Sequence, residues 1–146
     1  MAASVHTYPF REVITAFLSH GGKILVLKRS AKVGTYQGHW SGVSGYLERS
    51  EPLDQAYTEI AEEVGLANDQ VTLLRRGAPL EVIDHAQGRA WRVHPFLFAV
   101  REPEQIRLDW ENTEMRWIDP SEVSRLETVP GLGEVLERVL PTDGLD

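Results

Sequence analysis

Residues 52–66 (PLDQAYTEIAEEVGL) constrain this chain more than any other stretch. Leu53, Ala56, Tyr57, Ile60, Ala61 and Val64 recur at helical spacing, so one stripe of a helix faces a core. Pro52 suits the first helical turn, and Gly65 suits the left-handed cap after the last. Glu59, Glu62 and Glu63 stand at i, i+3 and i+4 and share a face. Like charges at that spacing weaken an isolated helix by roughly 0.2–0.5 kcal/mol per pair. A solvated face is the bland account of such a run. Against it stand the clean apolar stripe opposite, the glycine-rich turn just upstream (42–45) and the near absence of Lys or Arg one turn away. A hard divalent cation would convert the repulsion into coordination, because such ions favour carboxylate oxygen. The expectation is a carboxylate cluster aimed into a cleft.

The rest of the chain supplies a frame of strands. Residues 11–19 (REVITAFLS) and 23–28 (KILVLK) predict two strands joined at His20-Gly21-Gly22 as a hairpin. The second is nearly continuously apolar, which implies burial on both faces. Residues 30–39 predict a polar loop and 40–45 (WSGVSG) a tight glycine-rich turn. Residues 71–74 and 79–84 are strand-like, 85–88 (HAQG) is a hairpin loop, and 90–100 (AWRVHPFLFAV) is the longest β-type run. Pro95 within that run predicts an edge or a bulge. A short strand is expected at 115–118, and helices at 121–126 and 132–140. This order predicts a mixed sheet flanked by helices, one domain over 1–146, with tails at 1–10 and 141–146.

The bulk numbers exclude some functions. With 22 acidic and 15 basic residues the formal net charge is −7, which argues against binding nucleic acid polymers or an anionic membrane. A small anion remains compatible, because a local metal ion overrides the net field. There is no cysteine, so disulfides and thiolate zinc sites are absent. No apolar run has the character of a signal peptide or membrane span, and the expected location is the cytoplasm. No phosphate-binding G-x-x-x-x-G-K-[ST] or dinucleotide-binding G-x-G-x-x-G is present. A nucleophile elbow starting at Gly42 would need a glycine where Tyr46 stands.

The whole stretch 45–66 resembles the signature of the Nudix hydrolases: Gly, five residues, Glu, seven residues, then Arg-Glu-apolar-any-Glu-Glu-any-Gly-apolar. Gly45 and Glu51 match the opening, and Glu59-Ile60-Ala61-Glu62-Glu63-Val64-Gly65-Leu66 match the close. The flanks 25–30 (LVLKRS), Trp40 and 110–123 (WENTEMRWIDPSEV) are similar to the family as well, so the resemblance covers about 13–140. Two departures stand out. The spacer after Glu51 is six residues, and Thr58 occupies the place of the family's arginine, a residue thought to orient the motif's glutamates.

The resemblance implies a Nudix-type α/β/α sandwich with a central mixed sheet. It implies hydrolysis of the diphosphate linkage in a nucleoside diphosphate derivative, an ADP-ribose-like compound or a nucleoside triphosphate, with Mg²⁺ or Mn²⁺. By position it implies Glu59, Glu62, Glu63 and the carbonyl of Gly45 as metal ligands. Glu48 and Glu51 flank the site, to order it or to bind metal through water. The general base is a motif glutamate or a later loop acid, for which Glu111 and Glu114 are candidates. Arg29 is a candidate for a phosphate contact or for a pair with a motif glutamate. Trp91, Tyr46 and Tyr36 are candidates for stacking on a base, and Arg92 and Arg89 for a ribose or terminal phosphate. His85 and His94 have no metal-ligand spacing and read as structural. A homodimer fits the resemblance, with the 90–100 run as an edge. Thr58 keeps a second reading in play, a catalytically weak domain that binds a nucleotide or sugar phosphate. An isopentenyl diphosphate isomerase-like enzyme would need a cysteine that this chain lacks.

Overall fold

Apolar residues that alternate along extended stretches must divide between two faces of a sheet. In the structure, a computed structural model that describes residues 8–48 and 51–145, eight such stretches form one mixed sheet. The strands are β1 (Phe10–His20), β2 (Lys23–Arg29), β3 (Trp40–Ser41), β4 (Val43–Tyr46), β5 (Val71–Arg76), β6 (Leu80–Asp84), β7 (Arg89–Val100) and β8 (Asn112–Ile118). The helices are α1 (Pro52–Val64) and α2 (Leu132–Glu137). The main path runs β3-β2-β1-β7-β5, with β4 also on β1, β6 on β7 and β8 on β2. β1 and β7 pair in parallel from Phe10↔Ala90 to Ser19↔Ala99. The other strand pairs are antiparallel.

β2 shows how the layers arise. Leu25 and Leu27 join Ile14, Phe96 and Phe98 under Ala56, Ile60 and Val64 of α1. Ile24 and Val26 join Phe17 and Leu97 under Leu132, Val135 and Leu136 of α2. The four β2 side chains are at most 2% exposed, as the continuous apolar run predicts. Burying each large apolar side chain contributes about 1.5–3 kcal/mol. The result is the α/β/α sandwich.

Four predictions change in detail. The β1–β2 hairpin exists and turns on Gly21 and Gly22, both at positive φ, but pairs only Ser19↔Ile24 and His20↔Lys23. The glycine-rich 40–45 segment forms β3 and β4 rather than a bare turn. β7 is central and not an edge, so it offers no free edge for a homodimer. Pro95 is tolerated there because it falls between two partners: β5 ends with Arg76 opposite Phe96, and β6 begins with Leu80 opposite Val93. The helix expected at 121–126 is a 3-10 turn over Pro120–Arg125. The predicted N-terminal tail lies outside the described residues up to residue 7, and Phe10 already belongs to β1. Among the described residues, no helix is long and apolar enough to cross a membrane.

Candidate active site

The acidic helix is capped at both ends as its residues dictate. The Glu51 carboxylate accepts from the Leu53 N–H at 3.0 Å, and Pro52 fills the first turn. Gly65 adopts φ 72° and donates its N–H to the Ala61 carbonyl. The buried arc differs from the predicted stripe on one side. Ala61 is exposed, whereas Gln55 and Glu63 are buried. β4 lies against that flank of α1 and covers the two polar residues, and Ala61 falls at the opposite margin. The predicted glutamate face is therefore graded: Glu62 is exposed, Glu59 half-buried and Glu63 only 3% exposed.

Glu63 and Glu59 converge on β4. Glu63 Oε2 accepts from the Ser44 N–H at 3.2 Å, and Oε1 accepts from Asn112 Nδ2 at 3.3 Å. Glu59 Oε2 accepts from Gln55 Nε2 at 2.9 Å. Its carboxyl lies so close to Gly45 that a Cβ there would stand 2.2 Å from Glu59 Cδ. Glycine at 45 is thus required by the approach of a carboxyl group, and not by its φ. Burial first, then the charges of Glu111 and Glu59, push the Glu63 carboxyl well above the usual range. Burial and the Glu62 charge also raise Glu59, against the hydrogen bond from Gln55. Burial and Asp109 raise Glu111. Among the described residues, no Lys, Arg or His forms an ion pair with Glu59, Glu62 or Glu63.

This is the chemistry of a cation site. Buried carboxylates that repel one another gain most from a positive ion, and every donor here is oxygen. Among the described residues, no three Asp, Glu or His side chains stand together as a ready cage. That still suits Mg²⁺, which is usually held by one or two carboxylates with waters and substrate phosphates. Glu59 and Glu63, with Gly45 against Glu59, fit that description.

A cleft of about 590 Å³ opens over the acids. Gly45, Glu48, Glu59 and Glu111 line one side, Arg29 and Lys32 supply cations, and Trp91, Tyr36, Tyr46 and Trp110 supply aromatic wall. Arg29 is held by Thr35, through its carbonyl at 2.9 Å and its hydroxyl at 3.3 Å. Tyr36 has a positive φ of 49°, donates its hydroxyl to Asp84 at 2.6 Å, and meets the Trp91 ring at 5.9 Å. A non-glycine residue held in that conformation by its neighbours is a feature of binding sites.

Three sequence candidates lie elsewhere. Glu114 is exposed on β8, opposite Lys28, and its carboxylate accepts from Arg116, so Glu111 is the loop acid in the cleft. Arg92 points away from the cleft wall formed by Trp91, and its guanidinium binds Glu12 and Glu81. Glu51 is engaged as the helix cap and by Arg76. Sequence reasoning missed Lys32, Asn112 and Gln55. The spacing Gln55 to Glu59, four apart on a helix, was the one available signal. A second groove of about 770 Å³ runs between β6 and α2, but its one cation, Arg138, donates to the carbonyls of Ala78 and Pro79.

A family model described as NUDIX domain matches residues 9–139. Three solved structures superpose closely. A C. elegans Ap4A hydrolase in a binary complex gives a TM-score of 0.70 at 17% identity, over 88% of this chain and 93% of that one. A MutT protein from Methanosarcina mazei Go1 gives 0.68 at 20% identity, over 90% and 93%. The E. coli dihydroneopterin triphosphate pyrophosphohydrolase gives 0.67 at 20% identity, over 88% and 94%. At these identities the likeness is one of fold.

Proposed function

The chain belongs to the NUDIX domain family, and on that premise we propose that it is a divalent-metal-dependent diphosphohydrolase. Its substrate is a nucleoside diphosphate derivative, an ADP-ribose-like compound or a nucleoside triphosphate, cleaved by attack of water on phosphorus. The observation that carries this reading is the convergence of Glu59 and Glu63 on β4, at Gly45 and Ser44, without a cationic partner among the described residues. Two of the structural relatives are named as hydrolases of Ap4A and of dihydroneopterin triphosphate, which supports the same class.

When bound, Mg²⁺ or Mn²⁺ supplies Lewis acidity toward the diphosphate. Glu59 and Glu63 would hold the ion, with Glu62 and the Gly45 carbonyl as further donors. Arg29 and Lys32 bind phosphoryl oxygens and offset the charge that spreads over them. Arg29 is prepared for this because Thr35 already fixes its guanidinium. Glu111 takes the proton of the attacking water. Burial and Asp109 raise its pKa, which makes it the stronger base, and its place in the cleft favours it over Glu114. Trp91 and Tyr36 form a wall on which a nucleobase stacks.

The test is turnover of nucleotide sugars, dinucleoside polyphosphates and nucleoside triphosphates with Mg²⁺ or Mn²⁺, run beside Glu63→Gln. Hydrolysis by the native protein that is lost in the variant is the expected result. A second reading, a domain that binds such a ligand without turnover, is favoured by one observation. Thr58 is exposed, and its hydroxyl donates to the Asp54 carbonyl and not toward the acids. Tight binding with no turnover by either form would establish that reading instead.

A further inference from the structure

Gln55 is a long polar side chain that is only 2% exposed, on the helix that carries the acids. A buried primary amide has four hydrogen-bonding positions to satisfy, and burying them unmet costs more than an apolar residue of the same size. Its presence therefore calls for a reason beyond packing. The amide nitrogen donates to Glu59 Oε2 at 2.9 Å, and the amide oxygen accepts from the Glu48 N–H at 3.4 Å. One side chain thus ties a carboxylate of the acid pair to the backbone of the segment that follows β4. On its other side, Glu59 is confined by the bare Cα of Gly45.

We propose that Gln55 is a positioning residue, which fixes one oxygen of Glu59 and leaves the other for the ion. A neutral donor does this without cancelling negative charge, so the full charge of the pair is left for the metal. A cationic donor at the same place would orient the carboxylate and compete with the ion. Residues that hydrogen-bond metal ligands typically tune affinity or activity by about 10–100-fold.

This inference rests on the metal-dependent reading above, and its test separates the two. Mn²⁺ binding to the whole protein is measured by electron paramagnetic resonance, alongside turnover and thermal melting of the metal-free form. Two variants are compared. Gln55→Met keeps length and volume and loses the hydrogen bonds to Glu59 and Glu48. Gln55→Glu keeps an acceptor for the Glu48 N–H and replaces the donor with a like charge. Both are expected to weaken Mn²⁺ binding about 10-fold or more, with Gln55→Glu the weaker binder, and to recover part of their rate as Mn²⁺ is raised. A packing role alone would lower the melting temperature and leave the Mn²⁺ affinity of the folded protein intact, with Gln55→Met the worse of the two. Native affinity in Gln55→Glu overturns the proposal, including where Gln55→Met fails to fold. Weakened Mn²⁺ binding in the variants, with no turnover by the native protein, upholds the proposal and overturns the hydrolase reading.

Discussion

Two clusters of charge lie within the same sheet-and-helix frame and are solved in opposite ways. Beyond the end of α1, Glu12 of β1 meets His94 at 2.7 Å and Arg92 at 2.6 Å, and Arg92 reaches Glu81 at 3.0 Å. Each acid there has a partner, and the His94 hydrogen bond, then Arg92, hold the Glu12 carboxyl below its ordinary range. In the cleft, Glu59, Glu63 and Glu111 are pushed the other way, first by burial and then by the charges of neighbouring acids, Glu62, Glu111 and Asp109 among them. A paired cluster closes its own electrostatics and serves the fold. An unpaired one stores repulsion that only a ligand can relieve.

The most severe way to break this contrast is Glu63→Gln. It removes an acid that sustains the ion, and loss of several kcal/mol of transition-state stabilisation corresponds to at least about 100-fold in kcat/KM. The metal-free variant is expected to melt no lower than the native protein, because a buried repelling carboxyl has been replaced by an amide. Steady-state kinetics and melting curves check both halves. Next in size is Gly45→Ala. The atoms its Cβ meets belong to the flexible end of Glu59, so the fold adjusts and the site does not. We expect a loss of about 10- to 100-fold in rate with little change in melting temperature, from misplacement of one carboxyl.

Metal itself sharpens the comparison. Mg²⁺ or Mn²⁺ at 100 times its Kd should stabilise the native protein by about 2.7 kcal/mol, read as a rise in melting temperature. Glu12→Gln should leave that rise unchanged, whereas Glu63→Gln should remove most of it. The smallest effect is the pH dependence of Glu12. Its folded pKa is lowered, so its contribution is fully present above its ordinary value of 4.5 and is lost as pH falls through the folded value. The groups facing it are His94, Arg92 and, through Arg92, Glu81. Solvent screens this partly exposed network, and Glu12→Gln should cost only about 0.2–1 kcal/mol at neutral pH. Chemical denaturation at pH 7 and pH 3 measures the difference, which should shrink at the lower pH.

Much of this molecule was legible in the sequence where the determinants are local. α1 was fixed by its apolar period and by Pro52 and Gly65. β2 was fixed by an unbroken apolar run. The acid pair followed from spacing on one helix. Elements set by distant partners were not legible in the same way. β4 looked like a bare glycine turn, because its partner on β1 lies some thirty residues upstream. Gly42 permits that pairing, since a Cβ there would come within 3.2 Å of the Ala16 carbonyl. Pro95 suggested an edge because no local signal reveals a gap between β5 and β6. Glu111 and Glu114 differ only in that one precedes β8 and the other lies within it. Asn112 reaches Glu63 across a separation of 49 residues, beyond any pattern on one helix.

The parallel pairing of β1 with β7 has a consequence in time. Its partners are about eighty residues apart, as are the bonds from Ser19 to the Phe98 carbonyl and between His20 and the Val100 carbonyl. Closing so large a loop costs entropy before the ladder repays it, which places this chain among slow folders. During synthesis, β1 emerges first and waits with one edge unpaired until residue 100 has been made. Hairpins such as β6–β7 form sooner, because their strands are neighbours. β4 hangs from the other edge of β1 across only about thirty residues, so by the same measure the wall that receives Glu59 and Glu63 pairs with β1 before the centre of the sheet closes.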